Sequence, residues 1–426
     1  MRPSCLRKSQ INLVFRSVCT TFAGMLTHKI INDPVFGFIK IPRGLLYDIV
    51  QHPLFQRLNR INQLGLASVV YPGARHTRFQ HSLGAFHLMT EAVKSLQEKG
   101  IYIFDSEAEA VQAAILMHDI GHGPFSHVLE NTLIRRVSHE DISLMMMEQM
   151  NRDFHGELTL AIKIFKNEYP NKIFHQLISS QLDMDRLDYL RRDSFFTGVT
   201  EGNIGSARII KMLNVKDEQL VVDAKGIYSI ENYLTTRRLM YWQVYLHKTA
   251  VGYEKILVNT LTRAKDLKQQ GHDVFAPPAL DYFLQEDVTF DEKALQIYGE
   301  LDDSDIWSAL KAWKHSDDRI LSTLATDMTD RKLFKVEVTE DCFTDDYVSE
   351  KAAAIANSMD ISEEDARRYM MSLTEIGKDM YNPADDSIGI LYKDGIVRDI
   401  AEASEILNVH LLSKKIRKYY LCYQRI

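Results

Sequence analysis

Three histidines and an aspartate fall within the eleven residues MHDIGHGPFSH, at positions 117–127. His118 and Asp119 are adjacent near the end of a predicted helix. Adjacent residues within a helix point about 100° apart, but at a helix end both side chains can lean toward one centre. An imidazole nitrogen beside a carboxylate oxygen suits a divalent cation such as Mn²⁺, Fe²⁺, Zn²⁺ or Mg²⁺. This pair predicts part of a metal site whose other ligands come from elsewhere in the chain.

Histidines concentrate around this pair. Far more of them lie in one short window than an even distribution would place there, namely His76, His81, His87, His118, His122, His127 and His139. Two candidates for the missing ligands are His81, which opens a predicted helix, and Asp185, in the segment DMDRLDYLRRD. Taken alone, His81 could be a helix-start residue and Asp185 a solvated acid. Their combination with the 118–119 pair favours a metal site.

The spacing of apolar residues predicts that helices position these side chains. Helices are expected at 43–65, 81–100, 106–123, 125–135, 139–153, 157–168, 172–191 and 204–213, and a long one over 229–266. Strand signals are few, and hairpins are predicted at 33–42, 219–230 and 386–400, the last with Asp394 and Gly395 as its turn. The expected fold class is mostly α with small β-hairpins and a C-terminal mixed α/β lobe.

Composition narrows the class of protein. The 426 residues are 45% hydrophobic, as in a globular protein, and a formal net charge of -7 gives no overall basic field for nucleic acid. The four cysteines form no CxxC pair, which favours a reducing, cytoplasmic location. No apolar run reaches the ~18 residues of a membrane span, so none is expected.

The first 24 residues are basic and contain no acid. Arg16 interrupts their only apolar stretch, which argues against a secretory signal. Two interpretations stay open. One is a transit-like peptide, and the other is an upstream start codon with the folded chain beginning near Met25.

Four motifs carry a family resemblance: RFQHSLG at 78–84, MHDIGHGPFSH at 117–127, SHED at 138–141 and DMDRLDYLRRD at 183–193. Together they resemble the HD-domain superfamily, in particular its dNTP triphosphohydrolase branch, without the SAM domain of the vertebrate members. Weaker similarity covers most of the chain from residue 28 onward. We therefore expect an N-terminal extension at 1–27, an HD phosphohydrolase core at 28–267, a helical extension at 268–372 and a small α/β lobe at 373–426.

The resemblance implies that one divalent metal ion, Mn, Fe, Zn, Ni or Mg, is held by four residues, His81, His118, Asp119 and Asp185. All four family positions are filled without substitution. Two neutral imidazoles and two carboxylates leave coordination positions open for water and a phosphate oxygen.

The remaining imidazoles of this region suit proton delivery, because histidine titrates near neutral pH. The resemblance places His122 and His127 near the phosphates and His139 at the α-phosphate as the acid–base residue. Glu130 follows His127 on a predicted helix and can orient its imidazole, although relatives often have Asp there. The structural alternative for His139 is a role at the helix N-terminus, where Ser138 is the better cap.

A triphosphate carries about four negative charges near neutral pH, so cations must line its site despite the acidic total charge. Arg78 matches the family's phosphate-binding arginine. Arg186 follows Asp185, at a position where relatives commonly carry Lys. Arg237 and Lys248 are further matches, and the alternative for both is solvated charge on a long helix.

Tyr189 and Asp193 share one face of the predicted helix that carries Asp185. The resemblance assigns Tyr189 to packing under the sugar. It also assigns contacts with the 3′-hydroxyl to Asp193 and Gln63, and crowding of the 2′ position to Leu64 and Tyr245. A ribose 2′-hydroxyl would clash there, so deoxyribose is preferred. The alternative is that Tyr189 and Tyr245 are core aromatics.

Some family positions differ in this chain. Leu246 stands where relatives have a base-contacting Gln, which leaves base selectivity open. Gln56 is retained at the site that reads an activator guanine, but Gln51 and Asn59 replace the Asp and Arg of GTP-activated relatives. These two departures leave guanine-specific activation open.

A second regulatory site in the family uses basic residues that Arg208, Lys225 and Arg331 match, while Ser229 replaces its Asn. Such sites lie between subunits in the family. The resemblance thus implies a homo-oligomer, a dimer or tetramer, and leaves open a magnesium–nucleotide effector.

Three hypotheses about function result. The leading one is a metal-dependent dNTP triphosphohydrolase, which converts a dNTP and water into deoxynucleoside and tripolyphosphate. The second is another HD-type phosphohydrolase that acts on nucleotides or phosphomonoesters. The third is a non-catalytic nucleotide sensor or a single-strand nucleic-acid binder. The intact ligand set and the negative net charge argue against it.

Overall fold

Helices carry most of the chain in the computed structural model, which describes residues 27–125, 127–134, 137–285, 288–378, 387–404 and 416–426. The expected mostly α architecture is confirmed. The N-terminal helices are α1 (Leu45–Gln51), α2 (Pro53–Gln56), α3 (Arg78–Glu98), α4 (Asp105–Met117), α5 (His127–Thr132), α6 (His139–Asp153), α7 (Thr159–Phe165), α8 (Ile173–Ile178) and α9 (Met184–Thr197). The later helices are α10 (Ser206–Met212), α11 (Ile227–Met240), α12 (Lys248–Gln269), α13 (Pro278–Leu284), α14 (Glu292–Tyr298), α15 (Asp303–Trp313), α16 (Arg319–Asp330), α17 (Asp345–Met359), α18 (Glu363–Tyr369) and α19 (Ile400–Ala403).

The described strands form three small sheets. They are β1 (His28–Asp33), β2 (Gly37–Pro42), β3 (Leu213–Lys216), β4 (Gln219–Asp223), β5 (Lys335–Thr339), β6 (Met371–Lys378), β7 (Gly389–Leu391), β8 (Val397–Asp399) and β9 (Ile416–Tyr423). Strands β1 and β2 make an antiparallel hairpin, and the other sheets have the orders β3-β4-β7-β8 and β5-β9-β6. The β7–β8 hairpin matches the expected turn at Asp394 and Gly395, since Gly395 has a φ of 83°. It joins β4 in parallel register, so segments far apart in sequence share a sheet.

Helices α3, α4 and α9 form the part of the core that positions the site. Helix α3 begins at a capping box, in which Thr77 accepts from the Gln80 backbone N–H and Gln80 accepts from that of Thr77. It packs against both α4 and α9. The α3–α9 packing is close because residue 84 is a glycine, and a Cβ there would overlap the Asp188 carboxylate and the Arg192 guanidinium of α9. The ends of these three helices thereby meet.

The prediction of a single long helix over 229–266 is wrong. Helix α11 ends at Met240, a π-helical turn spans Tyr241–Tyr245, and Leu246 and His247 leave helical geometry before α12 begins. Distant groups stabilise the interruption. The Tyr71 hydroxyl donates to the Gln243 carbonyl at 2.6 Å, and the Tyr420 hydroxyl donates to that of Leu246 at 3.1 Å. Apolar spacing alone cannot reveal such a break, because no Pro or Gly marks it.

Shorter predictions also need correction. The expected helix 106–123 ends at Met117, and the expected hairpin 33–42 begins earlier, at His28. The expected helix 172–191 is two helices, separated where the Asp183 side chain accepts from the backbone N–H of Arg186 and caps α9. In the expected hairpin 219–230, only β4 is a strand. It pairs with the preceding β3, and helix α11 starts at Ile227. The expected helix 43–65 ends early, because Pro53 starts a separate short helix.

Among the described residues, no helix combines the length and the hydropathy that crossing a bilayer requires.

Candidate active site

The four candidate metal ligands come together from three helices. His81 lies in the first turn of α3, His118 and Asp119 directly follow α4, and Asp185 lies in the first turn of α9. The Asp185 Oδ1 atom is 3.0 Å from His81 Nε2 and 3.4 Å from His118 Nε2. The ligand atoms of His81, His118 and Asp119 all lie within 4.8 Å of one another.

The chemistry of these donors fits a cation. The Nδ1 atom of His118 is 2.7 Å from the Ile115 carbonyl oxygen, and that of His81 is 2.7 Å from Asp188 Oδ2. Both Nδ1 atoms therefore face acceptors, which leaves the two Nε2 atoms, 3.3 Å apart, as the ring nitrogens that would bind a cation. Burial lowers the pKa of His81, but hydrogen bonds to Asp185 and Asp188 outweigh it and raise the pKa to about 10. A cluster that attracts a proton this strongly suits a divalent ion.

Glycines allow the loop after α4 to pack closely on its neighbours. The Ser143 hydroxyl of α6 accepts from the Gly121 N–H at 2.9 Å and donates to the His118 carbonyl at 3.0 Å. A Cβ on Gly121 would overlap the Ser143 backbone nitrogen, and one on Gly123 would lie 2.7 Å from the Tyr298 hydroxyl. The two glycines of the motif are therefore required by close packing around the ligands.

Arg57 is a buried residue beside the site that the sequence did not indicate. Its guanidinium is fully buried, donates to the carbonyl oxygens of His122 and Leu301 at 2.9 and 2.8 Å, and lies 4.7 Å from the centre of the Tyr298 ring. Burial lowers its pKa despite the opposing effect of Tyr298. Arg57 thus connects the segment after α14 to the loop at residues 118–123, called the metal loop below. Its hydrogen-bond acceptors are backbone carbonyls, and one of them, that of Leu301, is 244 residues away in the sequence. No local sequence pattern could therefore indicate these contacts.

Arg78, His122 and His139 border the four candidate ligands, which together are called the metal cluster below. Arg78 Nη1 and His122 Nε2 lie 2.5 and 3.3 Å from the two carboxylate oxygens of Asp119. Burial, followed by the charge of Arg78, lowers the pKa of His122 to about 3, so this imidazole is neutral. The His139 ring stacks on it with centroids 4.0 Å apart. Ser138 caps α6, and the His139 side chain lines the cavity described below.

A cavity of about 660 Å³ opens beside the cluster. Eight of the residues singled out in the sequence line it, namely Gln63, Leu64, Arg78, His139, Arg186, Tyr189, Asp193 and Tyr245. Tyr241 and Leu246 of the interrupted helix also contribute to the wall. A volume of this size accommodates a nucleotide-sized ligand.

Asp193 is already hydrogen-bonded at both carboxylate oxygens. Its Oδ1 lies 2.8 Å from His76 Nε2, and its Oδ2 accepts from the Tyr245 hydroxyl at 2.7 Å. Burial and the Asp193 charge raise the pKa of Tyr245 well above its ordinary value, so the phenol keeps its proton. The Tyr245 ring meets those of Tyr189 and Tyr241 edge-on, at 6.0 and 5.4 Å. The π-helical turn brings Tyr241 here, and no sequence motif indicates this position.

The predicted cations differ in placement. Arg186 lines the cavity while its Nε donates to the Ser180 carbonyl at 2.7 Å. Arg237 is buried and donates to the Gln181 side chain at 2.6 Å. Lys248 is exposed at the start of α12 and is not among the described residues that line the cavity.

The side chains of His127 and Glu130 lie outside those that the structure describes, so their predicted roles stay predictions.

The candidate regulatory residues occupy separate surfaces. The Gln56 side chain donates to the Val50 carbonyl at 2.6 Å. Arg208 donates to the Lys225 carbonyl at 3.2 Å, and both side chains are exposed. Arg331, at the end of α16, donates instead to the Val69 carbonyl at 3.0 Å. Their regulatory roles stay predictions.

Family models match the part of the chain that carries this site. The HD domain model matches residues 78–192, and the HD associated region model matches residues 204–276. A solved phosphohydrolase from Bacteroides thetaiotaomicron is 63% identical with a TM-score of 0.91, and the match covers 93% of this chain and 100% of that one.

Two relatives known by sequence match less closely. The uncharacterized Bacillus subtilis protein YwfO is 31% identical over 89% of this chain and 88% of its own. The human deoxynucleoside triphosphate triphosphohydrolase SAMHD1 is also 31% identical, over 56% of this chain and 45% of its own. The chain therefore matches less than half the length of SAMHD1.

Proposed function

The chain belongs to the HD-domain superfamily of phosphohydrolases, and from this premise we propose that it is a metal-dependent dNTP triphosphohydrolase. The reaction would convert a dNTP and water into deoxynucleoside and tripolyphosphate. One observation carries the proposal. The metal cluster and a nucleotide-sized cavity share a wall at Arg78, which binds Asp119 of the cluster and lines the cavity.

Each end of the cavity has the chemistry that this substrate requires. A divalent ion held by His81, His118, Asp119 and Asp185 would polarise a phosphate oxygen and lower the pKa of a bound water. Arg78 and Arg186 supply positive charge for the phosphates. His122 stays neutral and is positioned to donate to Asp119, which orients that carboxylate.

His139 is the residue that we propose moves a proton to the leaving 5′-oxygen. Its imidazole lines the cavity and stacks on His122, which fixes the plane of its ring. Positional control of this kind matters because proton transfer requires a hydrogen-bond distance to the reacting oxygen.

The opposite end would receive the sugar and base. Tyr189, Tyr241 and Tyr245 present ring surfaces there, and Leu246 adds an apolar side chain. Because Asp193 already accepts from Tyr245, the two side chains would form a fixed unit against the deoxyribose. A ribose 2′-hydroxyl would have to displace the Tyr245 ring, which supports a preference for deoxyribose.

Assembly, regulation and location complete the proposal. SAMHD1, named as a deoxynucleoside triphosphate triphosphohydrolase, supports dNTPs as the substrate class. We propose a homo-oligomer, a nucleotide effector at the Arg208 and Lys225 surface, and a cytoplasmic location consistent with the free Cys342 and Cys422.

The test is product analysis. Purified protein is incubated with each dNTP alone and in mixtures, in the presence of Mn²⁺, and products are separated by ion-exchange chromatography. Inorganic tripolyphosphate with deoxynucleoside supports the proposal. Orthophosphate as the product would instead support a phosphomonoesterase or another nucleotide hydrolase, and nucleotide binding without any product would support a sensor. Activity only in mixtures would reveal nucleotide regulation.

A further inference from the structure

A chain of buried charged groups leads from the metal cluster to the β1–β2 hairpin. His81 Nδ1 lies 2.7 Å from Asp188 Oδ2, on the side of the imidazole that faces away from the cluster. Asp188 accepts from Arg192 Nε at 2.9 Å and from Arg192 Nη2 at 3.0 Å. Arg192 Nη1 then donates to Asp33 Oδ2 at 2.7 Å. Asp33 is the last residue of β1, so the chain of contacts ends at the hairpin turn.

The hairpin holds Asp33 in place. The second carboxylate oxygen, Oδ1, accepts from the backbone N–H groups of Val35 and Phe36, both at 2.9 Å. The Phe36 ring lies 5.6 Å from the Arg192 guanidinium. Both oxygens of Asp33 are therefore used, one to fix the turn and one to bind Arg192.

Complete burial makes this arrangement sensitive to the loss of any member. Asp188 and Arg192 are fully buried, and Asp33 is 7% exposed. A buried guanidinium needs its donors paired, since water cannot replace a lost partner. If Asp33 lost its charge, Arg192 would interact more strongly with Asp188. The hydrogen bond between Asp188 and His81 would then weaken. The carboxylate partner of a ligand histidine fixes its tautomer and raises the basicity of its ligand nitrogen.

We propose that Asp33 is a positioning residue for the metal ligand His81, acting through Arg192 and Asp188. The β1–β2 hairpin is then a structural part of the metal centre, although its nearest charged group is separated from the cluster by two side chains. The inference rests on the metal centre of the proposed function and is independent of the substrate.

Metal binding without substrate tests this inference. The protein is stripped of metal and titrated with Mn²⁺, whose free concentration is followed by electron paramagnetic resonance. We expect Asp33→Asn to weaken Mn²⁺ binding about tenfold and Asp188→Asn to weaken it up to about a hundredfold. Asparagine at position 33 can still accept from the turn, but its amide faces the Arg192 donor.

The matched control is Asp394→Asn. Asp394 also lies in a hairpin turn and accepts from a backbone N–H, that of Ile396, at 3.1 Å, but it belongs to the β7–β8 hairpin. We expect its Mn²⁺ affinity to equal that of the wild type. Bound Co²⁺ gives a second readout, because its visible spectrum reports ligand geometry, and only Asp33→Asn and Asp188→Asn should change it.

Wild-type Mn²⁺ affinity and an unchanged Co²⁺ spectrum in a folded Asp33→Asn protein would overturn the inference while leaving the metal centre intact. If Asp33→Asn does not fold, Arg192→Lys replaces it, because lysine keeps the positive charge but lacks the planar fork that binds Asp33 and Asp188 together, and we expect about a tenfold loss of affinity. An unchanged affinity in that variant would equally overturn the inference. A wild-type protein that binds no Mn²⁺ would overturn both the inference and the metal centre.

Discussion

The two ends of the cavity are built differently. At the metal end, His81 is fully buried, and Asp119 and His122 are nearly so. The His81 and His122 imidazoles both lie near the Asp119 carboxylate, and His118 Nδ1 lies near a backbone carbonyl. At the other end, half-buried tyrosines meet edge-on around a π-helical turn. The metal end is thus fixed mainly by electrostatics and hydrogen bonds, and the other end by packing of rings together with the two hydrogen bonds on Asp193. Substitutions at the metal end should consequently reduce activity more than substitutions at the tyrosine end.

The largest effect is expected from His118→Ala combined with Asp119→Ala. This variant removes two ligands and the partner of Arg78, so hydrolysis should fall by about a thousandfold or more. Both residues follow the end of α4, so far-ultraviolet circular dichroism should stay at the wild-type level. Turnover that persists in this double variant would eliminate the metal mechanism.

The next effect concerns the packing that supports the metal loop. Gly121→Ala places a Cβ against the Ser143 backbone nitrogen and should lower the free energy of unfolding by about 2 kcal/mol. Activity should fall as well, because the loop carries His118 and Asp119.

Gly205→Ala is the control for Gly121→Ala. Its Cβ would meet nothing closer than the Arg208 Cβ at 3.9 Å, and its φ of -80° suits alanine. Urea denaturation of both variants measures the difference. Equal stability of the two proteins would contradict the close-packing explanation for the glycine.

A smaller, more selective effect is expected at the tyrosine end. Tyr245→Ala opens space beside Asp193, so the ratio of dNTP to NTP hydrolysis rates should fall about tenfold while dNTP turnover is partly retained. Tyr228→Ala serves as the control, because that ring is 65% exposed and does not line the cavity. Rates with paired dNTP and NTP substrates give the ratio. A ratio that stays constant in Tyr245→Ala would count against crowding of the 2′ position.

The smallest effect tests a buried acid outside the cavity. Burial raises the pKa of Asp327 in α16 to about 6, above its ordinary value of 3.8. The folded protein therefore binds this proton more tightly than the unfolded chain does. The associated stability is present below about pH 4 and is lost as the pH rises through 6.

Asp327→Asn should remove this loss of stability at rising pH, because an asparagine side chain does not titrate. The variant should melt at a higher temperature relative to the wild type at pH 7 than at pH 4, as measured by differential scanning calorimetry. The difference should be confined to stability, since Asp327 does not line the cavity. A melting-temperature difference that is constant across this pH range would contradict the shifted pKa.

The residues of the metal end can be singled out from the sequence because they lie in short, dense segments. His118, Asp119, His122 and the two glycines all belong to one stretch of eleven residues. The tyrosine end is harder to recognise from the sequence. Tyr241 reaches the cavity only because a π-helical turn interrupts what periodicity predicts as one helix. That turn depends on hydroxyl donors from Tyr71 and Tyr420, whose proximity no local pattern encodes.

The sequence by itself determined the mostly helical fold class, the family and the side chains that gather at the metal cluster, because ligand types and their local spacing are written in single segments. Only the tertiary structure decided how those side chains are held. Arg57 on the metal loop, His76 on Asp193 and Asp33 at the end of the Arg192 contacts each join residues more than 60 positions apart. Hydrogen bonds between buried groups depend on which surfaces pack together, and packing is a property of the whole chain.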